Sequence, residues 1–383
     1  MLQPIPNIAA YHVNEKSALY WTFGALGGGG DLKYKDGVAG TAVVPGLINN
    51  GIIKVPTGNS KHPFLETTIP NFLGIDGLKD TGSSAEGKNL YIQTTLGKSW
   101  NVNDKLSLSL GGRVVYGIRE LKGNISVTGK ALAPNKLGLN PGDDASFNAS
   151  IDSKRTAWGY GLQLGLNYKA TERLNLSARY DSRVKLNFKA KGNMNDAKLG
   201  PLPGLGFGNF YPEYVPGTKA RRDMPAILAL GASYKVTDNW TTALAGNFYF
   251  NKQAKMDNVV GKLAFTNAKE VKAKYKNGWE LAFGNEYRFS PKWAWLGSIN
   301  YAHTGAKVES FDDVEYALNS ITLGTGLKYN PNDSTEWVFS VSHFFYQEKS
   351  GNYNIKYNGM SQVDNPKYDK QITAFGVSYT QRF

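Results

Sequence analysis

Four histidines, His12, His62, His303 and His343, are the imidazoles available for acid–base or metal chemistry. None stands at His-Glu-x-x-His spacing from another or at any paired-ligand spacing, so no metal site is expected. His343 is the one histidine with serines nearby, Ser340 and Ser342. On a strand an odd-numbered histidine and even-numbered serines face opposite sides, which defeats a nucleophile–base pair. Cysteine is absent, which removes disulfides, thiolate ligands and thiol nucleophiles and suits an oxidising compartment. The glycine-rich run Gly24 to Gly30 leads into Asp-Leu-Lys-Tyr-Lys, not into a helix opening on Lys-Ser/Thr, so it is no phosphate loop. Neither an enzyme nor a cofactor is expected.

The remaining chemistry-bearing groups are basic. Lys and Arg number 44 against 31 Asp and Glu, a formal charge of +13 over 383 residues. With 18 Phe, 22 Tyr and 8 Trp the chain is far too aromatic for a disordered basic tail. No stretch approaches the roughly 18–20 apolar residues of a membrane-spanning helix, and mean hydropathy is −0.39. A nucleic-acid partner is not expected, because aromatic and charged side chains alternate onto opposite faces and do not share one.

That alternation is the strongest pattern in the chain. Leu174, Leu176, Ala178, Tyr180, Val184, Leu186 and Phe188 alternate with Asn175, Ser177, Arg179, Asp181, Arg183, Lys185, Asn187 and Lys189. Trp240 to Asn251 repeats the arrangement. Period two marks strands with one apolar and one polar face, and charges on the polar face exclude a dry sandwich core. Thirteen such segments are predicted, at about 5–13, 17–28, 88–100, 104–119, 156–169, 173–190, 224–236, 239–253, 278–289, 292–306, 317–329, 334–348 and 372–383. Short polar turns, such as Asn14-Glu15-Lys16 and Ser290-Pro291, interleave with long loops at about 29–87, 120–155, 191–223, 254–277, 307–316 and 349–371. Short turn, long loop, short turn is the stitching of a single-domain outer-membrane β-barrel over 1–383, with periplasmic turns and extracellular loops. Trp21, Trp100, Trp158, Trp240, Trp279, Trp293 and Trp337 lie in or beside these strands, mostly near their ends, where a bilayer's head groups favour indole. Thirteen is odd for a bacterial single-chain barrel. The opening Met1-Leu2-Gln3-Pro4 carries no signal-peptide pattern and reads as already inside a strand, so an N-terminal truncation is expected.

Particular runs resemble a family. Asp223-Met224-Pro225-Ala226-Ile227-Leu228-Ala229-Leu230-Gly231-Ala232-Ser233-Tyr234, followed by Thr-Asp-Asn-Trp, resembles strands of the FadL-type (OMPP1/FadL/TodX) outer-membrane transporters of long-chain fatty acids and other hydrophobic compounds. Ala178-Arg179-Tyr180-Asp181-Ser182, Gln3-Pro4-Ile5-Pro6-Asn7 and Leu318 to Tyr329 are similar in the same register. The resemblance implies a fourteen-stranded antiparallel β-barrel closed by a small N-terminal hatch. The thirteen segments are then strands two to fourteen, and the hatch and first strand fall outside this sequence.

It also implies site residues. The family's third strand kinks to open a lateral hole, and here that strand runs into Gly27, Gly28, Gly29 and Gly30; the plainer reading is the flexible start of a loop. A collecting groove between outer loops falls on Leu199, Leu202, Leu205, Phe207, Phe210, Tyr211, Tyr214 and Val215, with Ile125, Val127, Leu132, Leu137, Leu139 and Phe147 as its other wall. The alternative is that these side chains plug their own loop. Arg113, Arg119, Arg179, Arg183, Lys185 and Lys328 fall on the lumenal face and can grip a carboxylate, while Val115, Leu296 and Phe344 take the tail. Against that stands a wall network in which Arg179 and Arg183 pair with Asp181, Glu280 or Glu286. Lumenal glycines, Gly159 and Gly161 among them, leave space for a channel or a plug. Phe375, Val377, Tyr379 and the terminal Phe383 share a face of the last strand and resemble the signal read by the outer-membrane assembly machinery.

The expected function is passive uptake of a long-chain fatty acid or similar hydrophobe by a monomer in the outer membrane, among lipid and lipopolysaccharide. The competing reading is a general diffusion porin with mild anion preference, whose barrel is larger and has a loop folded into a wet lumen. A surface adhesin has no positive sign in the sequence.

Overall fold

The computed structural model describes residues 7–37, 74–132, 139–195, 207–256, 275–308, 316–351 and 366–383, with residues 45, 49, 54–56, 66–68, 311, 353–357 and 360–364 between them. Thirteen antiparallel strands follow one another in chain order through one sheet. They are β1 (Ile8–Val13), β2 (Ser17–Tyr34), β3 (Ser84–Asn101), β4 (Leu106–Ala131), β5 (Asp144–Lys169), β6 (Leu174–Asp181) and β7 (Ile227–Lys235), then β8 (Trp240–Tyr249), β9 (Gly278–Arg288), β10 (Trp293–His303), β11 (Ser320–Asn332), β12 (Thr335–Tyr346) and β13 (Gln371–Gln381). β1 and β13 are the edges, each paired on one side among the described residues. All thirteen strands expected from the alternation are present.

The short turns are closed locally by one polar side chain. Asn14 Oδ1 accepts from the backbone N–H of Lys16 and Ser17, and Asn103 Oδ1 from those of Lys105 and Leu106. Thr171 Oγ1 does the same for Arg173 and Leu174, and Asn332 Oδ1 for Ser334. Such side-chain bonds two and three residues on mimic a backbone turn, which is why Asn, Thr and Ser recur at these positions.

Registry fixes which face each residue takes. On β5 the outward residues from Trp158 through Tyr160, Leu162, Leu164 and Leu166 to Tyr168 are large, apolar and exposed, an 11-residue run matching the ~9–11 residues a tilted strand needs to cross a bilayer. Leu108, Leu110, Val114 and Tyr116, opposite Leu166, Leu164, Tyr160 and Trp158, continue the band on β4, and Ile118 follows them. Farther along the same strands the outward residues become polar, Glu120 to Lys130 on β4 and Asp144 to Lys154 on β5.

Three sequence expectations change here. The span 120–155 is mostly not a loop: β4 and β5 stay paired from Leu106↔Tyr168 to Lys130↔Asp144, so the hairpin stands well clear of the membrane band. Its backbone bonds are satisfied within the ladder, and Ile75–Asp80 pairs along the other edge of β4. Likewise the glycine run does not end its strand. β2 continues to Tyr34 through two one-residue irregularities against β3, between Ala25 and Gly27 and between Gly28 and Asp31.

The third change is a break in the stretch read as 173–190. β6 pairs with β5 as far as Asp181↔Gln163. Pairing with β5 resumes only at Lys189↔Thr156, in the piece Asn187–Asn195, with one extra residue taken up between. The Leu162 N–H donates to the Ser182 side chain across this interruption. Because side chains alternate, the extra residue exchanges the faces: Leu176 and Tyr180 point outwards, whereas Val184, Leu186 and Phe188 are completely buried on the inner side.

Candidate functional site

Above the membrane band, the inner face of the extension is apolar. Leu121, Ile125 and Val127 of β4 and Ala145, Phe147, Ala149 and Ile151 of β5 are buried there, as are Ile75 and Leu78 of the neighbouring piece Ile75–Asp80. Phe207 of the short helix Phe207–Phe210 is buried as well, its ring tilted against Tyr211 with centroids 6.3 Å apart. A Cβ on Gly123 would lie 3.4 Å from Phe207 Cζ, so the ring rests on the inner wall. Of the sequence-predicted groove, Phe207, Tyr211 and Tyr214 come together here and Val215 follows Tyr214; Phe210 ends the helix; Leu199, Leu202 and Leu205 lie outside the described residues. On the opposite wall, Ile125, Val127 and Phe147 face inwards, Leu139 is half-buried, Leu132 is exposed and Leu137 lies outside the described residues.

One level lower, Val115, Ala157, Val184, Leu186 and Phe188 form a buried cluster, with Leu26, Tyr91 and Met224 packed against it. Glycines create its room. A Cβ on Gly117 would lie 2.6 Å from Phe188 Cζ, and one on Gly161 2.9 Å from Val184 Cγ2. The space that Gly159 and Gly161 leave on the inner wall is therefore filled by the inward segment 182–188. Asp223, buried, anchors that segment: it accepts from Arg221 Nε and Nη2 at 2.8 Å each and from the Leu186 N–H at 3.4 Å. Leu26 is the extra residue at the first irregularity of β2, so the glycine-rich segment and the inward segment meet in the same cluster. Gly28 has φ +84°, and a Cβ there would collide with the Asn89 carbonyl.

The cationic candidates separate by their partners. Arg113, buried, donates from Nε to Gln93 Oε1 at 2.8 Å and from Nη1 to the Ser182 carbonyl at 3.2 Å. Arg179 Nε lies 3.4 Å from Asp181, which also accepts from Gln163. Arg183 donates to the Gln253 carbonyl and lies 3.8 Å from Asp223. Lys328 Nζ is 2.7 Å from Glu286 and 3.8 Å from Glu336. Each of these four has partners within the protein. Lys185 is exposed in the interrupted segment. Arg119 is buried one inner position above Gly117 and donates to Asn89 Oδ1 at 2.9 Å.

The side chain that sequence reasoning missed is Arg155. Its guanidinium is buried between the Phe188 and Tyr214 rings, 5.5 and 4.9 Å from their centroids, and its Nε has no hydrogen-bond partner among the described residues. Glu213 faces it at 4.0 Å, at the limit of an ion pair. Burial pushes the Glu213 carboxyl above the usual carboxylate range, and Arg155 opposes that rise. Arg155 lay in what the alternation presented as a loop; the continued odd-numbered phase Phe147, Ala149, Ile151 was the signal that placed it inside. Leu296 and Phe344 alternate with outward Trp295 and Phe345 and so take the lumenal face, while Phe375, Val377, Tyr379 and Phe383 are all exposed at the last strand.

Among the described residues no group of His, Cys, Asp and Glu is arranged to hold a metal ion. The family described as outer membrane protein transport protein (OMPP1/FadL/TodX) matches residues 79–383. Outer membrane protein P1 of Haemophilus influenzae is 24% identical over 336 residues, 79% of this chain and 67% of that protein. A second P1 sequence, from strain ATCC 51907 / DSM 11121 / KW20 / Rd, is 24% identical over 77% of this chain and 65% of its own length. This chain thus spans about two thirds of the length of these curated relatives. A FadL homologue of Pseudomonas aeruginosa has a similar fold, with TM-score 0.58 and 18% identity over 98% of this chain and 77% of that one. The toluene transporter TodX of P. putida superposes with TM-score 0.55 and 13% identity over 99% and 82%. The thirteen-stranded meander with its outward apolar band is the wall of a transmembrane β-barrel, and the chain belongs to the OMPP1/FadL/TodX family of bacterial outer membrane transport proteins.

Proposed function

We propose that this chain carries hydrophobic compounds, long-chain fatty acids among them, passively across the outer membrane, with capture in the extracellular extension and lateral exit through the wall beside Gly27 to Gly30. The observation that carries this reading is an apolar sequence of inner surfaces. It runs from Ile125, Val127 and Phe147 past Phe207 to the Phe188 cluster, and ends at Leu26 beside Gly27 and Gly28. Apolar surface turned inwards above the membrane offers a hydrophobe a way out of water before it reaches lipid. Arg155, with Arg119 one strand away, takes the carboxylate head: a guanidinium desolvated between two rings with an unpartnered Nε gains most from an anion. Two relatives in fold, the toluene transporter TodX and the monoaromatic hydrocarbon channel CymD, widen the ligand class to small aromatics.

A wet diffusion pore is disfavoured by Val115, Val184, Leu186 and Phe188, which set an apolar layer on the inner wall where a porin would present charge. Cells lacking their own hydrophobe transporter, expressing the gene, should take up labelled oleate or toluene without leaking a small hydrophilic sugar. Sugar flux without uptake of either hydrophobe overturns the reading.

A further inference from the structure

Register sets the charges on the outward face of the extension. One row reads Asp31, Lys88, Glu120, Lys154 across β2 to β5, and the row above it reads Lys33, Glu86, Lys122, Asp152, each residue opposite the next. Signs alternate along both rows and between them. Lys33–Glu86 at 3.1 Å, Lys154–Glu120 at 2.9 Å and Lys122–Asp152 at 3.2 Å close as ion pairs. Opposed charges across strands are favourable when unlike and unfavourable when like.

The balance ends at the next piece of wall. Lys191 stands opposite Lys154, and Lys189 stands opposite Lys219. All four are exposed, and among the described residues Lys189, Lys191 and Lys219 enter no ion pair. The one-residue shift at 182–186 puts them there: it turns Phe188 and Ala190 inwards and therefore Lys189 and Lys191 outwards. Their height is equally defined. Lys189 is opposite Thr156, one outward position above Trp158, whose ring lies 4.5 Å from that of Tyr116. Trp and Tyr mark the head-group level, and one outward step along a strand is about 7 Å.

We propose that Lys189, Lys191 and Lys219 form a docking site for the phosphorylated head group of an outer-leaflet lipid. Ammonium groups donate to phosphate oxygens as point charges, and a phosphate seated among them removes the like-charge opposition that the register imposes. The site rests on the chain's place in the outer membrane and not on its cargo, so failure of either reading leaves the other standing.

The folded full chain in neutral detergent, titrated with bisphosphorylated lipid A, tests it. The triple variant K189Q/K191Q/K219Q should bind about ten-fold more weakly. K16Q/K105Q/K235Q, which removes the same charge at the short-turn end, should stay within about two-fold. Dephosphorylated lipid A should not distinguish wild type from either variant. Binding by the first variant equal to wild type, or equal loss from both, overturns the proposal. Displacement of lipid A by millimolar inorganic phosphate makes this a free-anion site and overturns the lipid assignment. Should the triple variant not fold, Lys219→Glu decides alone: it pairs with Lys189, so lipid A binding should fall while the melting temperature holds or rises. Loss of neither, or a loss of both together, counts against the site.

Discussion

Phe188 reaches its place because Gly117 has no side chain: a Cβ there would stand 2.6 Å from Phe188 Cζ. The ring is completely buried, so it has nowhere to yield within the cluster. Gly117→Val is therefore expected to cost about 1–3 kcal/mol by overpacking. Pairing it with Phe188→Leu should return most of that stability. Thermal unfolding of the two variants checks this, and a double variant no more stable than the single one would separate Gly117 from Phe188.

Gly161 offers a way to fix the inward segment in place. Its Cβ would lie 2.9 Å from Val184 Cγ2, close enough for a cysteine pair to bridge, and no native cysteine competes. The double variant G161C/V184C should form the disulfide under oxidising conditions. If hydrophobes pass through the Phe188 cluster, oxidation should lower oleate uptake several-fold and reduction should restore it. Full uptake with the bridge confirmed by mass spectrometry would route the cargo elsewhere.

The strands were legible because alternation survives almost any change of side-chain chemistry, but alternation does not say which face is which. On β4 the apolar phase moves from even positions, Leu110 to Ile118, to odd ones, Leu121 to Val127, while the strand runs on unbroken. Leaving the bilayer reverses which face must be greasy, and the polar outer residues then imitate a loop. Around 182–186 the opposite happens: the even apolar phase continues from Tyr180 to Phe188 while the backbone takes up an extra residue and changes sides. Hence Lys185 and Arg183, read as lumenal, sit in an interrupted segment, whereas Arg113 and Arg119 lie on an uninterrupted strand and are buried.

Glu213 and Arg155 should make head-group binding depend on pH. Burial raises the Glu213 carboxyl, so it holds its proton above the ordinary value of about 4.3 and ionises only as pH passes the raised one. An acid whose folded pKa is raised stabilises the folded state below its unfolded pKa and loses that contribution as pH climbs through the window between the two. Ionised Glu213 also competes for Arg155. Dodecyl sulfonate, anionic throughout, should bind more tightly at the low end of that window. Glu213→Gln should flatten the dependence and keep the tighter affinity, while Arg155→Gln should weaken binding at every pH by about ten-fold, the worth of one charge-assisted bond. Wild-type affinity that does not vary with pH would detach Glu213 from the site.

Phe207 separates capture from folding. Its ring is buried on the inner wall of the extension beside Gly123, beyond the outward run Leu108 to Ile118 that meets lipid. Removing it should leave the thirteen-strand ladder intact, because the helix Phe207–Phe210 contributes no strand pairing. Phe207→Ser should accordingly preserve the compact mobility of the folded barrel on unheated gels. Burial of a Phe side chain is worth about 1.5–3 kcal/mol, so loss of that surface should raise the oleate concentration for half-maximal uptake about ten-fold if the ring lines the groove. The fuller variant with Phe210 and Tyr211 also replaced by Ser should do no less. A folded Phe207→Ser barrel with unchanged uptake would mean that the ring only props the extension, and that capture begins lower, at the Phe188 cluster.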